Sequence, residues 1–286
     1  MRLPDFYIIG AMKCATSMVQ QQLAQDDRVF MSDPKEPNFF SDDGIFANGM
    51  GWYSALFSKA GEAQLCGEAS THYTKWPTLP LAPERLKEAT PEAKFVYIIR
   101  HPIDRLVSHY LHSWTMREIT VPFSEAIPQH PELWQYSLYH AQLERWFAHF
   151  PRARFLIMTQ EGIKNAPHEN YARLTDFLGL EGAVWVDDLP PQNVTAERVK
   201  RFPFYDFVMD NPGMQAVRRA LVPHGLRQKM AQRLRPPERP AVSDEEYAYL
   251  NEKIGPDIAA LGALVGLDLS LENYAEKAAR EVFDIR

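Results

Sequence analysis

Cysteine is nearly absent: Cys14 and Cys66 are the only two in 286 residues. Two thiols cannot staple a chain of this length into a disulfide scaffold, so a reduced, cytoplasmic setting is the expectation. Long apolar runs are missing too. No stretch approaches the ~20 uninterrupted apolar residues of a membrane span, and the apolar run within M-R-L-P-D-F-Y-I-I-G is too short for a secretory signal. No membrane partner is therefore expected. Positive charge is in deficit, with 31 Lys and Arg against 37 Asp and Glu and a formal net charge of -6. A nucleic-acid binder held by phosphate contacts needs clustered positive charge, so no nucleic-acid partner is expected either, although a local basic cleft remains compatible with the balance. Internal repeats and low-complexity linkers are also lacking.

What is present is ordinary for a soluble globular chain: 45% hydrophobic and 24% charged residues. The pattern reads as strand, loop, helix, repeated. Strands are expected at Phe6 to Ile9, Gln64 to Glu68, Phe95 to Ile99 and Arg154 to Met158, with intervening segments long enough for crossover helices. Their two-sided apolar character predicts an α/β fold in which a parallel sheet is covered by helices on both faces. We read residues 1–286 as one domain, with a core over 5–180 and a loop and helix region over 187–286. Between Asp187 and Pro240 many prolines predict loops and brief helices. Leu138 to Phe150 and Glu169 to Leu178 read as helices, the second closed by Gly179. Ser243 with Glu246 makes a capping box for a last helix that Pro256 interrupts or starts.

Two segments are suited to holding anions. In F-Y-I-I-G-A-M-K-C-A-T-S, Phe6 to Ser17, an apolar run breaks at Gly10 and feeds a helix near Thr16. Such a loop offers unpaired N–H groups and the positive end of a helix dipole. Lys13 adds a full charge, while Thr16 and Ser17 add hydroxyls that can also cap the helix. The nucleoside triphosphatase loop G-x-x-x-x-G-K-[ST] is not matched, because Lys13 lies three residues after Gly10 and Ala15 stands where a second glycine belongs. A capped helix with an incidental lysine gives the same pattern. In F-V-Y-I-I-R-H-P-I-D-R-L-V-S-H-Y, Phe95 to Tyr110, Arg100 stands at a strand end and Pro102 opens a helix. Ile103, Leu106, Val107, Tyr110, Leu111 and Trp114 form its apolar face, with Arg105, Ser108 and His112 on another. Arg100 and Ser108 can converge on a phosphate. A solvated basic helix start is the plain alternative. Both segments lie where ligands bind in open parallel sheets, beyond the carboxyl ends of strands.

These residues resemble those of the sulfotransferases that use 3′-phosphoadenosine 5′-phosphosulfate (PAPS). G-A-M-K-C-A-T-S looks like their 5′-phosphosulfate loop, which implies donor contacts from Lys13, Cys14, Ala15, Thr16 and Ser17. R-H-P-I-D-R-L-V-S-H-Y looks like their 3′-phosphate segment, which implies contacts from Arg100 and Ser108. P-K-E-P-N-F-F at Pro34 to Phe40 and G-E-A-S-T-H-Y at Gly67 to Tyr73 are similar to motifs of the carbohydrate-type branch. Ser137 to Pro151 resembles a helix of the same branch, which adds Tyr139 as a 3′-phosphate contact. The resemblance covers roughly residues 5 to 180 in order. It departs at Ala15 and at Ala69, where related carbohydrate enzymes often carry a lysine; Lys35 or His72 are candidates to replace it.

The resemblance implies a P-loop-type fold, PAPS as donor co-substrate and a carbohydrate or small-molecule acceptor sulfated on a hydroxyl or amine. Lys13 is expected to stabilise charge on the leaving phosphate, and Glu36 to act as general base, a role that a modestly raised pKa would suit. His72 is the second candidate base. No metal is required. Arg201, clustered with Arg198 and Lys200, is placed to close over the 3′-phosphate, though a solvated cluster has the same composition. Phe39, Phe40, Trp52, Tyr53, Trp76 and Trp134 are candidates for an acceptor cleft. A nucleotide kinase, or a non-catalytic nucleotide-binding module of the same fold, is the alternative reading.

Overall fold

Five apolar runs pair side by side in the computed structural model, which describes residues 1–189 and 238–286. β1 (Phe6–Gly10), β2 (Val29–Met31), β3 (Leu65–Ala69), β4 (Lys94–Ile99) and β5 (Phe155–Thr159) form an all-parallel sheet in the order β2-β3-β1-β4-β5. Every residue of β1 and β5 is buried, as in a sheet covered on both faces. Four of these strands match the expected runs. The fifth, V-F-M, is too short to declare itself by pattern.

In chain order the helices are α1 (Thr16–Leu23), α2 (Asp43–Phe46), α3 (Gly49–Ala55), α4 (Ala82–Ala89), α5 (Pro102–Met116), α6 (Phe123–Gln129), α7 (Glu132–Gln135), α8 (Tyr139–Phe147), α9 (Gln160–Asn165) and α10 (Pro167–Leu178). After the segment that is not described come α11 (Asp244–Val265) and α12 (Tyr274–Arg280). α10 ends at Gly179 with φ +83°, the left-handed conformation anticipated there. The capping box at α11 forms as expected, Ser243 N–H donating to Glu246 Oε2 at 2.8 Å and Glu246 N–H to Ser243 Oγ at 3.2 Å. Pro256 neither starts nor interrupts α11. It sits on the exposed face of a continuous helix, where the carbonyl it leaves without a donor can turn to water. The loops and helices expected over most of 187–240 lie outside the described residues.

α5 corrects a second expectation. Its apolar face is buried as predicted, but Arg105, assigned to a polar face, is fully enclosed. The helix is covered on that side by the 133–137 segment: Arg105 Nε donates to Ser137 Oγ at 2.6 Å and Nη2 to the Leu133 carbonyl.

The strand order determines where a ligand can enter. β3 and β4 flank β1 on opposite sides, so the chain leaving β1 and the chain leaving β4 diverge, opening a crevice at the carboxyl edge of the sheet. The turns after β1, β3 and β4 all open onto it.

Candidate functional site

The turn after β1 begins at Gly10, whose φ of +153° and tight surroundings exclude a side chain: a Cβ there would fall 2.0 Å from Thr74 Oγ1. Thr74 Oγ1 donates to the Ile9 carbonyl at 3.0 Å, tying the turn after β3 to the turn after β1. Lys13 and Ala15 then adopt left-handed backbone at φ +70° and +66°, on either side of Cys14. Alternation of handedness aims successive N–H groups into one concavity that favours an anion. Ala15, rather than Thr16 or Ser17, is the N-cap of α1 and offers no side-chain cap. Thr16 and Ser17 therefore occupy the first turn, where their N–H groups have no intrahelical acceptor and are left for a ligand. The Cys14 side chain faces the core, with Sγ 3.6 Å from the Met12 carbonyl oxygen, and burial raises its thiol to about 12 despite Arg105 and Arg100 nearby. Its N–H donates to the Ala11 carbonyl at 3.2 Å, so Cys14, expected as a donor contact, offers a ligand neither its thiol nor its N–H.

Arg100 directly follows β4, half-buried, with its guanidinium 3.6 Å from Asp104. Ser108 lies two turns along α5, half-buried. Tyr139 is fully buried, and its hydroxyl donates to the Arg100 carbonyl at 2.7 Å, so the structure places it behind Arg100. α11 steadies this arrangement, because the Asp257 carboxylate accepts from the N–H groups of His140 and Ala141 at 3.0 and 2.8 Å, capping α8.

Glu36 occupies the segment after β2 in left-handed backbone, φ +55°. Its N–H donates to the Ala69 carbonyl at 3.1 Å, and the N–H of Asn38 to Ser70 Oγ at 3.1 Å, fixing this segment against the end of β3. The carboxylate accepts from Lys35 Nζ at 2.9 Å and Thr71 Oγ1 at 3.1 Å. Burial pushes its pKa up, but Lys35, Thr71 and His72 pull harder and hold it below the usual carboxylate value. The modest rise expected of a base is not found: Glu36 is ionised at neutral pH. His72 is half-buried and driven down to about 4, by burial first and then by Lys75, so it is a neutral imidazole at pH 7.

Glu68 lies beneath this surface, fully buried in β3, accepting from the Tyr53 hydroxyl and, at 3.0 Å, from the Tyr73 hydroxyl. Burial outweighs these hydroxyls and raises its carboxyl to about 7. A carboxyl raised in the folded state contributes stability that is present below its ordinary pKa of 4.5 and is lost as pH rises through 7. The shift is worth about 3 kcal/mol. We expect urea unfolding at about pH 5 and about pH 8 to show this loss in the parent protein, and Glu68→Gln, neutral and isosteric, to remove that part of the pH dependence. An unchanged pH slope in the variant would place the titration elsewhere.

Residues 3–206 match the family model described as the sulfotransferase domain. The chain belongs to the sulfotransferase family. It is 27% identical over 193 residues to human heparan sulfate glucosamine 3-O-sulfotransferase 6, covering 64% of this chain and 54% of the relative. It is 28% identical over 189 residues to mouse heparan sulfate glucosamine 3-O-sulfotransferase 3A1, covering 63% and 47%. The chain thus spans about half the length of these curated relatives. The crystal structure of a sulfotransferase from Alicyclobacillus acidocaldarius shares the fold at TM-score 0.65 and 23% identity, over 94% of this chain and 98% of that one.

The residues singled out by sequence have different placements in this chain. Lys13, the main chain of 15–17, Arg100, Glu36 and His72 sit on turns or helix starts at the carboxyl edge of the sheet, and Ser108 lies two turns into α5. Arg201 lies outside the described residues. Of the aromatic candidates for an acceptor cleft, Phe39, Phe40 and Tyr53 are fully buried and pack on one another as core, Phe40 meeting the other two edge to face, whereas Trp52 is 41% exposed. Phe39 and Tyr53 stack at 4.5 Å, and the Tyr53 hydroxyl is the one that donates to Glu68 from this cluster.

Sequence reasoning missed Lys75 and His109. His109 is buried and held well below its ordinary pKa, by burial first and then by Arg105, Lys75, His112 and Lys13. A local basic cluster thus exists at the sheet edge despite the net charge of -6. The signal available for Lys75 was its position two residues after G-E-A-S-T-H-Y. A surface cleft of about 460 Å³ lies at the opposite, amino ends of β1 and β4, lined by Asp5, Thr90 and Lys94 among others, and contains none of these residues. Among the described residues, no helix is long and apolar enough to cross a membrane.

Proposed function

We propose that this chain transfers a sulfuryl group from PAPS to a hydroxyl or amine of a carbohydrate or small-molecule acceptor. The observation that carries this reading is that two anion-suited turns open from hydrogen-bonded neighbouring strands, β1 and β4, beside an ionised carboxylate, Glu36. Family membership, and a mouse sulfotransferase of the same fold complexed with PAP, 3′-phosphoadenosine 5′-phosphate, at TM-score 0.50 and 12% identity, support the donor. The concavity fits an anion by its own chemistry: left-handed residues at 13 and 15, an uncapped helix start and no room for a side chain at Gly10.

In this reading the N–H groups of 15–17 and Lys13 bind the 5′-phosphosulfate, while Arg100 and Ser108 bind the 3′-phosphate. Tyr139 and Asp257 keep Arg100 in place. The acceptor oxygen attacks sulfur and gives its proton to Glu36, and the bond from sulfur to the bridging oxygen breaks. Charge gathers on the leaving 5′-phosphate, where Lys13 and the loop N–H groups meet it. The products are a sulfate ester, or sulfamate from an amine, and PAP. The described C-terminal helices pack on α8 and α9, which supports one domain over 1–286. The two buried free thiols support a reducing, cytoplasmic setting.

Calorimetry is expected to show PAP binding in preference to ATP, and incubation with sulfur-labelled PAPS and a panel of glycans and small alcohols to yield a labelled ester. Tight ATP binding without PAP binding would move the chain to phosphoryl transfer. PAP binding with no labelled product across the panel would favour a non-catalytic nucleotide-binding module.

A further inference from the structure

Lys75 is a charged group at the sheet edge that donor binding and proton removal leave unused. It follows the 3-10 turn Thr71–Thr74, which is pinned at both ends. Thr71 Oγ1 donates to Glu36 Oε2 at 3.1 Å, and Thr74 Oγ1 to the carbonyl that precedes Gly10 at 3.0 Å. On the other side, Trp76 N–H donates to Gln142 Oε1 at 3.1 Å and the Trp76 carbonyl accepts from Gln142 Nε2 at 2.8 Å. Both neighbours of Lys75 are therefore tied down, one to the anion turn itself, and its backbone is nearly as well fixed as the turn. The side chain lies over the Tyr136 ring, Nζ 5.9 Å from the centroid. That ring is stacked on His109 at 5.6 Å and anchored by its hydroxyl to Thr78 Oγ1 at 2.8 Å.

The ammonium has charged surroundings and no ion pair among the described residues. Burial lowers its pKa to about 8, with Glu36 and Glu118 opposing and Arg105 reinforcing the shift. From the elements packed around it, His72 and His109 also face it, each held neutral in part by its charge. Glu36 carries a negative charge to which an anionic acceptor would be exposed, because the acceptor hydroxyl must come within hydrogen-bond reach of that carboxylate. Lys35 is engaged with Glu36 at 2.9 Å. A second cation within the field of Glu36, on a backbone held by its neighbours, offsets this repulsion and can add a charge-assisted hydrogen bond to the acceptor.

We propose that Lys75 recognises an anionic group of the acceptor, a carboxylate or sulfate close to the hydroxyl that meets Glu36, so that acidic acceptors are selected over neutral ones. This rests on the donor and acceptor reading above. The test uses the full chain saturated with PAP and, as probes, p-nitrophenyl β-D-glucuronide and its neutral counterpart p-nitrophenyl β-D-glucopyranoside, with binding followed by calorimetry. The glucuronide is expected to bind at least about tenfold more tightly. Lys75→Met should erase that preference with PAP affinity unchanged, and Lys75→Arg should keep part of it. In the parent protein the preference should also decline above about pH 8 as Lys75 loses its proton, a readout that needs no variant. Equal binding of the two glycosides to the parent protein, or a preference that survives in Lys75→Met, overturns the proposal while PAP binding stands. Failure of PAP itself to bind overturns the donor reading and this proposal with it.

Discussion

Glu36→Gln is expected to lower kcat by about 10²–10⁴-fold, the range typical for removing a positioned general base. Glutamine keeps the size and can still accept from Thr71 Oγ1, now 3.1 Å from Glu36 Oε2, but it cannot take a proton from an acceptor hydroxyl. The lost pairing with Lys35 costs little stability, because both side chains are about 30% exposed and such pairs contribute about 0–1 kcal/mol. A melting temperature within a few degrees of the parent protein, together with the kinetic loss, separates catalysis from folding. The pH profile follows from the sign of the shift. Glu36 is held below its ordinary 4.5 and must be ionised to act, so activity is lost as pH falls through that lowered value, at the acid edge of the stable range.

His72, driven down to about 4, would also lose its function as a base on the acid side, so pH alone does not separate the two candidate bases. Parallel measurement of Glu36→Gln and His72→Asn does. A loss of less than about tenfold in Glu36→Gln, with collapse in His72→Asn, would transfer the role to His72.

Much of the fold was legible because parallel strands buried on both faces announce themselves as unbroken apolar runs, and four of the five did so. β2 was lost because three residues carry no period. Helix faces were less transparent. The spacing around Arg105 marks a polar stripe only if that stripe meets water, and here the 133–137 segment covers it, converting a surface arginine into a brace. Candidate site residues could be named where a local motif carried the chemistry, as at Lys13, Glu36 and Arg100. The state of those residues was hidden, because a pKa depends on partners brought in by the fold: Lys35 and Thr71 lower Glu36, while a pocket of tyrosines fails to offset the burial of Glu68. Tyr139 looked like a ligand contact by sequence match and lies behind Arg100 in space, which sequence order cannot reveal. Lys75 escaped for a related reason. Its place two residues after G-E-A-S-T-H-Y does not separate it from a surface lysine until the turn before it is seen tied to both Glu36 and the Ile9 carbonyl.

Lys13→Ala is expected to reduce kcat/KM for the donor by about 10²–10³-fold, the usual cost of deleting one group that meets charge developing in a transition state. The main-chain concavity remains, which is why residual activity is expected rather than none. The variant alone is ambiguous, since Lys13 holds a left-handed backbone at φ +70° and contributes to the shape of the turn as well as to its charge. Lys13→Gly resolves this. Glycine adopts that conformation without the ~1–2 kcal/mol penalty of a side chain, so its turn should be at least as stable as in the Ala variant while lacking the same ammonium. If charge is what matters, the two variants will be equally impaired although their melting temperatures differ. If backbone geometry is what matters, Lys13→Gly will recover activity over Lys13→Ala, and the assignment of Lys13 to the leaving phosphate falls. Lys13→Arg completes the set: it keeps the charge but replaces a compact ammonium with a planar fork that is too wide for the same position, so it should recover only part of the loss.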